Sequence, residues 1–286
     1  LPMSSTTVSN VLDPVTTVSA PLPGPRDVAF TIGTLVTDPA QYKAMRDTYL
    51  AAGFGDNDCE YLMIDNTAAT RACAYRGLNA VLARARGRYV ILCHQDVRLL
   101  AGNDRGTLAL RLAALEAHDP AWALAGNGGG ISPGALALRI TDPHGSDRNV
   151  GPLPARVMSL DENFIVVKRE ARIGFSRDLT GFHFYGADIC LAAEVMGYTA
   201  YVIDYHLAHL SGGRREMAFE DMEKEFRAKW SHALRPRWIQ TTCALLRLTG
   251  HRFGQVTGRL AERPYQKLSR RLPGAQGWTP PAGREQ

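Results

Sequence analysis

Strand-like and helix-like segments alternate from Asp27 to Val97, and that alternation restricts the chain to an α/β sheet. Asp27-Val-Ala-Phe-Thr-Ile-Gly-Thr-Leu-Val36 is a β-branched run and predicts the first strand. Pro39–Ala52 predicts a helix and Glu60–Asp65 a second strand. A helix follows from about Ala69 to Arg86, with Ala74, Leu78, Val81, Leu82 and Ala85 on one face. Tyr89–Cys93 predicts a third, buried strand, which ends abruptly in His94, Gln95 and Asp96. Right-handed crossovers between such strands build a parallel sheet, and ligands bind outside the carboxyl ends of its strands.

The later pattern is less regular. Leu108–Ala117 predicts a helix, and Trp122–Gly126 a short strand that Asn127-Gly-Gly-Gly130 breaks. Residues 132–154 are rich in Gly, Pro and Asp and predict a loop across the active-site face. Asn163–Val167 and Ala200–Asp204 predict strands, with a helix over Ala187–Met196 between them. Phe219, Met222, Phe226 and Trp230 fall on one helical face.

Two appendages flank this body. Residues 1–26 carry almost no charge and predict a disordered leader, in which Leu1-Pro2 ahead of Met3 reads as an expression remnant. From Ser231 onward there are ten Lys and Arg against Glu262 and Glu285, so this segment accounts for the whole formal net charge of +5 and leaves the rest slightly acidic. Residues 27–232 are therefore expected to form the α/β domain, and 233–286 a basic, helical extension that Pro264 interrupts. Such a tail suits an anionic surface such as a bilayer, or stands as a solvated basic face, a partner-binding segment or an oligomer contact. Nucleic acid is not expected, because the aromatic-basic platform of an RNA-binding module is missing. The five cysteines are scattered with no C-x-x-C pair, which fits a reducing, cytoplasmic compartment, and no run approaches the roughly 18 apolar residues of a membrane span.

The candidate chemistry lies at strand ends. Asp96 suits a metal ligand, with His94 and Gln95 holding what the metal holds, or it caps the next turn. Asp65, with Asn66 beside it, suits a ribose hydroxyl or a base N–H, or starts a turn. Asp188 sits near a helix start, where the dipole favours its charged form, as a proton acceptor or as a cap. His209 is preferred to His206 as a second metal ligand because the glycine turn Ser211-Gly-Gly213 follows it. Neither G-x-G-x-x-G nor G-x-x-x-x-G-K-[ST] occurs, which argues against dinucleotide oxidoreductases and P-loop enzymes.

In this order the motifs resemble a known family. A strand ending in Asp65 precedes Ala85-Arg-Gly-Arg-Tyr-Val-Ile-Leu-Cys-His-Gln-Asp-Val97; then come Ser159-Leu-Asp-Glu-Asn-Phe-Ile-Val-Val167, Phe182-His-Phe-Tyr-Gly-Ala-Asp-Ile-Cys-Leu191 with Gly197-Tyr198, and His209-Leu-Ser-Gly-Gly213. Over residues 28–215 the chain resembles the GT-A-fold, family-2-like glycosyltransferases of bacterial surface-polysaccharide synthesis. The resemblance implies a Rossmann-like, mostly parallel sheet flanked by helices. It implies inverting transfer from a nucleotide-diphosphate sugar to a saccharide or lipid-linked acceptor at the inner face of the membrane. It assigns Mn²⁺ or Mg²⁺ to Asp96 and His209, with His94-Gln95-Asp96 standing where relatives carry D-x-D. Asp65 would contact base or ribose. The general base would be Asp188, with Asp178 and Glu162 as reserves; an alternative alignment puts it on Gly186, which has no side chain. A nucleotide-sugar-binding protein without turnover and a nucleotidyltransferase are the competing readings.

Overall fold

The computed structural model describes residues 15–17, 28–55, 57–68, 71–212 and 217–269. The chain divides into two compact units, residues 1–226 and 227–286. The first begins with strand β1 (Val15–Thr17), β2 (Phe30–Val36), helix α1 (Pro39–Ala51), β3 (Cys59–Asp65), α2 (Ala74–Arg84) and β4 (Tyr89–Cys93). Next come β5 (Val97–Leu99), α3 (Arg105–His118), β6 (Trp122–Gly126), β7 (Gly128–Ser132), β8 (Ala135–Asp142) and β9 (Gly145–Val150). Then follow β10 (Ala155–Val157), β11 (Ser159–Leu160), β12 (Phe164–Lys168), α4 (Tyr185–Val195), β13 (Thr199–Val202), β14 (Leu207–His209) and α5 (Met217–Leu234). The expected alternation from Asp27 to Val97 is present. The class is mixed α/β, with a sheet flanked by helices.

The main sheet has eight strands in the order β1-β3-β2-β4-β12-β6-β13-β10. Strand β2 lies parallel to β3 and β4, and β13 parallel to β6. Apolar side chains cover both faces. Val90 and Leu92 pack with α2 and α4; Tyr89, Ile91 and Cys93 pack with α1 and α3. Coverage on both sides is why Tyr89–Cys93 is uniformly apolar rather than alternating. Helix α1 starts where Asp38 accepts hydrogen bonds from the N–H groups of Ala40 and Gln41 (2.8 and 3.1 Å), with Pro39 in the first turn. Helix α2 starts at Ala74 rather than Ala69, because the buried Asn66 amide pins the approach. Its Nδ2 donates to Ala72 O (3.0 Å) and its Oδ1 accepts from Ala72 N (2.9 Å). Gly33 lets α2 lie close on β2; a Cβ there would stand 2.4 Å from Val81 Cγ1.

Three local expectations need correction. Strand β12 is antiparallel to both β4 and β6, so a reversed strand lies at the centre of the sheet. The chain reaches it from a second sheet and not through a crossover helix, which is what parallel pairing requires. That second sheet, β11-β7-β8-β14-β5 with β9 beside β8, replaces the loop expected over residues 132–154. The prolines and glycines there are hairpin punctuation: Pro133-Gly134 joins β7 to β8, and Pro143-His144 joins β8 to β9. Within the expected leader, Val15–Thr17 pair antiparallel with Leu62–Ile64 as an edge strand; the rest of residues 1–26 lies outside the described residues.

In the second unit, β15 (Arg237–Gln240) and β16 (Leu245–Leu248) form an antiparallel hairpin, followed by α6 (Arg252–Ser269). The extension is thus a hairpin plus a helix, not helices alone. Helix α6 runs through Pro264, where an interruption was expected.

Candidate metal and donor cleft

The tip of β4 meets β14 through the short strand β5. His209 is in register opposite Val97, and Leu210 N donates to Asp96 O (3.1 Å). That register carries His209 across 115 residues of chain onto the His94-Gln95-Asp96 tip. His209 Nε2 stands 3.4 Å from Asp96 Oδ1 and 3.3 Å from His94 Nδ1. His94 Nδ1 stands 4.0 Å from the same Asp96 oxygen. One ligand atom from each residue therefore lies within 4.8 Å of the other two. The Asp96 and His209 side chains are 14% and 12% exposed, so these groups converge in a largely dry place.

A tyrosine fixes which nitrogen of His94 is bare. Tyr185, the first residue of α4, is buried; its hydroxyl donates its single proton to Glu162 O (3.0 Å). The same hydroxyl lies 2.7 Å from His94 Nε2 and must accept there. His94 therefore carries its proton on Nε2 and presents the Nδ1 lone pair to Asp96 and His209. Orientation of a ligating imidazole by a second hydrogen bond is a general requirement of metal sites. Burial and the charge of His209 push His94 below its usual range. Burial drives Asp96 up, but hydrogen bonds from His209 and Ser211 and the nearby histidine charge outweigh it and hold the carboxyl well below the carboxylate range. Burial lowers His209, and its contact with Asp96 reverses this to a net rise. Two imidazole nitrogens 3.3 Å apart beside a carboxylate are bridged either by a His209 N–H donated to the bare Nδ1 of His94 or by a metal ion between them. One carboxylate and two imidazoles are donors that fit a first-row divalent ion with open positions left for a ligand.

A cleft of about 230 Å³ opens beside this cluster. Leu35, Leu78 and Leu92 form its apolar floor, and Phe182, Tyr185 and Glu162 flank it. The Phe182–Gly186 wall is buttressed by α5, where the rings of Phe219 and Phe226 lie 4.8 and 5.5 Å from Phe184.

The remaining sequence candidates have other work. Gln95 lines the cleft, but its amide is committed: Oε1 accepts from Thr37 N and Asp38 N (2.9 Å each), and Nε2 donates to Thr37 Oγ1 (2.8 Å). It ties the β2–α1 loop to the β4 tip. Asn66 also lines the cleft while pinning Ala72. Asp65 ends β3 exposed, accepting from Thr67 N and Oγ1 (2.9 and 2.6 Å), bonds that lower its carboxyl. It is not among the residues lining the cleft. His206 faces Thr141 Oγ1 (2.9 Å) and is not part of the His94–Asp96–His209 group. Gly213 lies outside the described residues. Asp188, expected as the base, is 0% exposed, and its two oxygens accept from Ser176 N (2.7 Å) and Ser176 Oγ (2.6 Å). It anchors a loop to α4 and is not presented to the cleft. The carboxylates that do line the cleft, among the described residues, are Asp96 and Glu162.

No family model matches the chain. It is 37% identical over 240 residues to the protein described as "ATP synthase subunits region ORF 6" of Fuscovulum blasticum, across 81% of this chain and 90% of that one. The chain belongs to the same family as that protein. Among solved structures it is similar to the mannosyltransferase PcManGT of Pyrobaculum calidifontis, in complex with GDP-Man and Mn²⁺, at 15% identity and a TM-score of 0.46, over 76% of this chain and 68% of that one. It is similar to residues 1–349 of S. aureus TarS in complex with UDP-GlcNAc at 11% identity and a TM-score of 0.45, over 70% of this chain and 65% of that one. For GalNAc-T7 with UDP, GalNAc and Mn²⁺ the values are 8% and 0.41, over 66% of this chain and 45% of that one.

Proposed function

We propose that the chain is a metal-dependent glycosyltransferase that moves a sugar, with inversion, from a nucleoside-diphosphate donor to a hydroxyl of a saccharide or lipid-linked saccharide. The observation that carries this reading is the convergence of His94, Asp96 and His209, of which His94 and Asp96 line the cleft. Those three residues would hold the ion, and the imidazoles favour Mn²⁺ over the all-oxygen preference of Mg²⁺. When bound, the ion neutralises the leaving diphosphate as a Lewis acid. Tyr185 keeps His94 in its ligating tautomer, and Gln95 holds the β2–α1 loop beside the site. The apolar floor suits the flat face of a base or sugar. A thermal-shift panel of UDP-, GDP- and dTDP-sugars with and without Mn²⁺ tests the reading, because a ligand at 100 times its Kd adds about 2.7 kcal/mol of stability. A rise in melting temperature that needs both nucleotide and Mn²⁺ is expected; a flat response across the panel would sink the proposal.

The second unit supports a place on the cytoplasmic face of the membrane. Phe253 (81% exposed), Val256 and Leu260 align on one face of α6, within the segment that holds the basic excess. No helix among the described residues is long and apolar enough to cross a bilayer. Co-sedimentation with vesicles containing phosphatidylglycerol is expected to fall when residues 250–286 are removed. Equal binding by the truncated chain would remove the membrane assignment.

A further inference from the structure

Two adjacent acids, Asp161 and Glu162, precede β12, and the fold treats them differently. Asp161 Oδ1 accepts from Asn163 N (2.9 Å) and Asn163 Nδ2 (2.6 Å), which closes a local turn, and Asp161 does not line the cleft. Glu162 is half-buried and lines it. Its Oε1 accepts from Gly186 N (3.2 Å) in the first turn of α4, and the Tyr185 N–H is a second backbone donor to the carboxylate, so the start of the helix holds this acid at the cleft. Gly186 is what makes room for this. A Cβ at that position would stand 2.2 Å from Leu160 O and 3.1 Å from Glu162 Cγ, so a side-chain-free residue lets Glu162 lie across the start of the helix. The backbone of Glu162 is held too, since its carbonyl accepts from the Tyr185 hydroxyl that orients His94. One tyrosine thus fixes both the acid's loop and a ligand of the metal cluster.

We propose that Glu162 is the general base that takes the proton from the acceptor hydroxyl. The inference rests on the glycosyltransferase reading. In the step, the acceptor O–H proton passes to the Glu162 carboxylate as the acceptor oxygen bonds to the anomeric carbon. The bond from that carbon to the diphosphate oxygen breaks, and its electron pair leaves with the diphosphate. Burial, augmented by the charge of Asp161, pushes the Glu162 carboxyl up to about 8. A carboxylate with that affinity for a proton is well matched to base catalysis near neutrality.

The test compares wild type with Glu162→Gln, which keeps the acceptor oxygen for Gly186 N–H and so preserves the fold. Release of nucleoside diphosphate from the UDP-, GDP- and dTDP-sugar panel is measured with Mn²⁺, with water as acceptor and then with added sodium azide. Azide is already an anion and needs no base. Loss of general base catalysis corresponds to a fall of about 10²–10⁴-fold in the water reaction. The expected result is a fall of that size, restoration by azide, and Mn²⁺-dependent UDP affinity within about threefold of wild type, a ~0.7 kcal/mol difference. An unchanged rate in Glu162→Gln overturns the base assignment and leaves the glycosyltransferase reading standing. A loss that azide does not restore, or that comes with lost UDP affinity, also overturns it, because Glu162 then acts by positioning. No release by wild type from any donor overturns both proposals.

Discussion

Asp96→Ala is expected to weaken Mn²⁺-dependent binding of a nucleoside diphosphate at least a hundredfold, about 2.7 kcal/mol. Asp96 is the single anion among the three candidate ligands, and the fold holds its carboxyl well below the usual range despite burial. The alanine variant leaves His94 and His209 facing each other across 3.3 Å with no negative charge between them and the ion. The local backbone does not depend on that side chain. Leu210 N donates to the Asp96 carbonyl, and the β5–β14 pairing is main-chain. The loss should therefore appear in calorimetric titration of UDP with Mn²⁺, with the melting temperature of the free protein little changed. Equal affinity in the variant would remove the metal assignment.

Asp188→Ala is expected to act on stability instead. Both oxygens of this fully buried carboxylate are committed to Ser176, at 2.7 and 2.6 Å. Alanine removes the acceptor from the part-buried Ser176 N–H and hydroxyl and leaves a gap at a fully buried position, a loss of about 2–3 kcal/mol. For a domain of this size that lowers Tm by about 4–12 °C. Below the transition, Mn²⁺-dependent UDP binding should persist, since the cleft does not include Asp188. Thermal denaturation and titration on the same sample separate the possibilities. An unchanged Tm with abolished transfer would return Asp188 to the role of base.

The sequence shows most clearly those features that are local or periodic. Tyr89–Cys93 is legible as a doubly covered strand because five consecutive apolar residues have no other comfortable setting in a soluble fold. Its polar tip then follows as a site, since parallel strands present their carboxyl ends to ligands. The same rule does not bring Glu162 to the cleft, and the resemblance offers it only as a reserve for the base. It stands at the beginning of β12, and because β12 is reversed, its beginning reaches the cleft where its neighbours bring their ends. Strand direction is set by how the chain arrives, and here it arrives through hairpins whose Gly-Pro punctuation reads as an open loop. Asp188 is ambiguous in the sequence for a related reason. An acid in the first turn of a helix is favourable wherever it points, and only the packed structure shows Ser176 as its partner. The position of Tyr185 within an aromatic-rich wall was visible, but its hydroxyl bond to His94 joins residues 91 apart and has no local signature.

The reversed central strand also bears on how the molecule comes into being. Strand β12 pairs Phe164 with Cys93 on one side and Ile165 with Gly126 on the other. Until it is made, β4 and β6 have no partner between them, and each offers an open edge of the kind that recruits other chains. Closing this seam joins segments far apart in sequence, which slows folding through the entropy of loop closure. Two strand edges therefore stay open until β12 is in place, and Glu162, which lines the cleft, arrives with that strand.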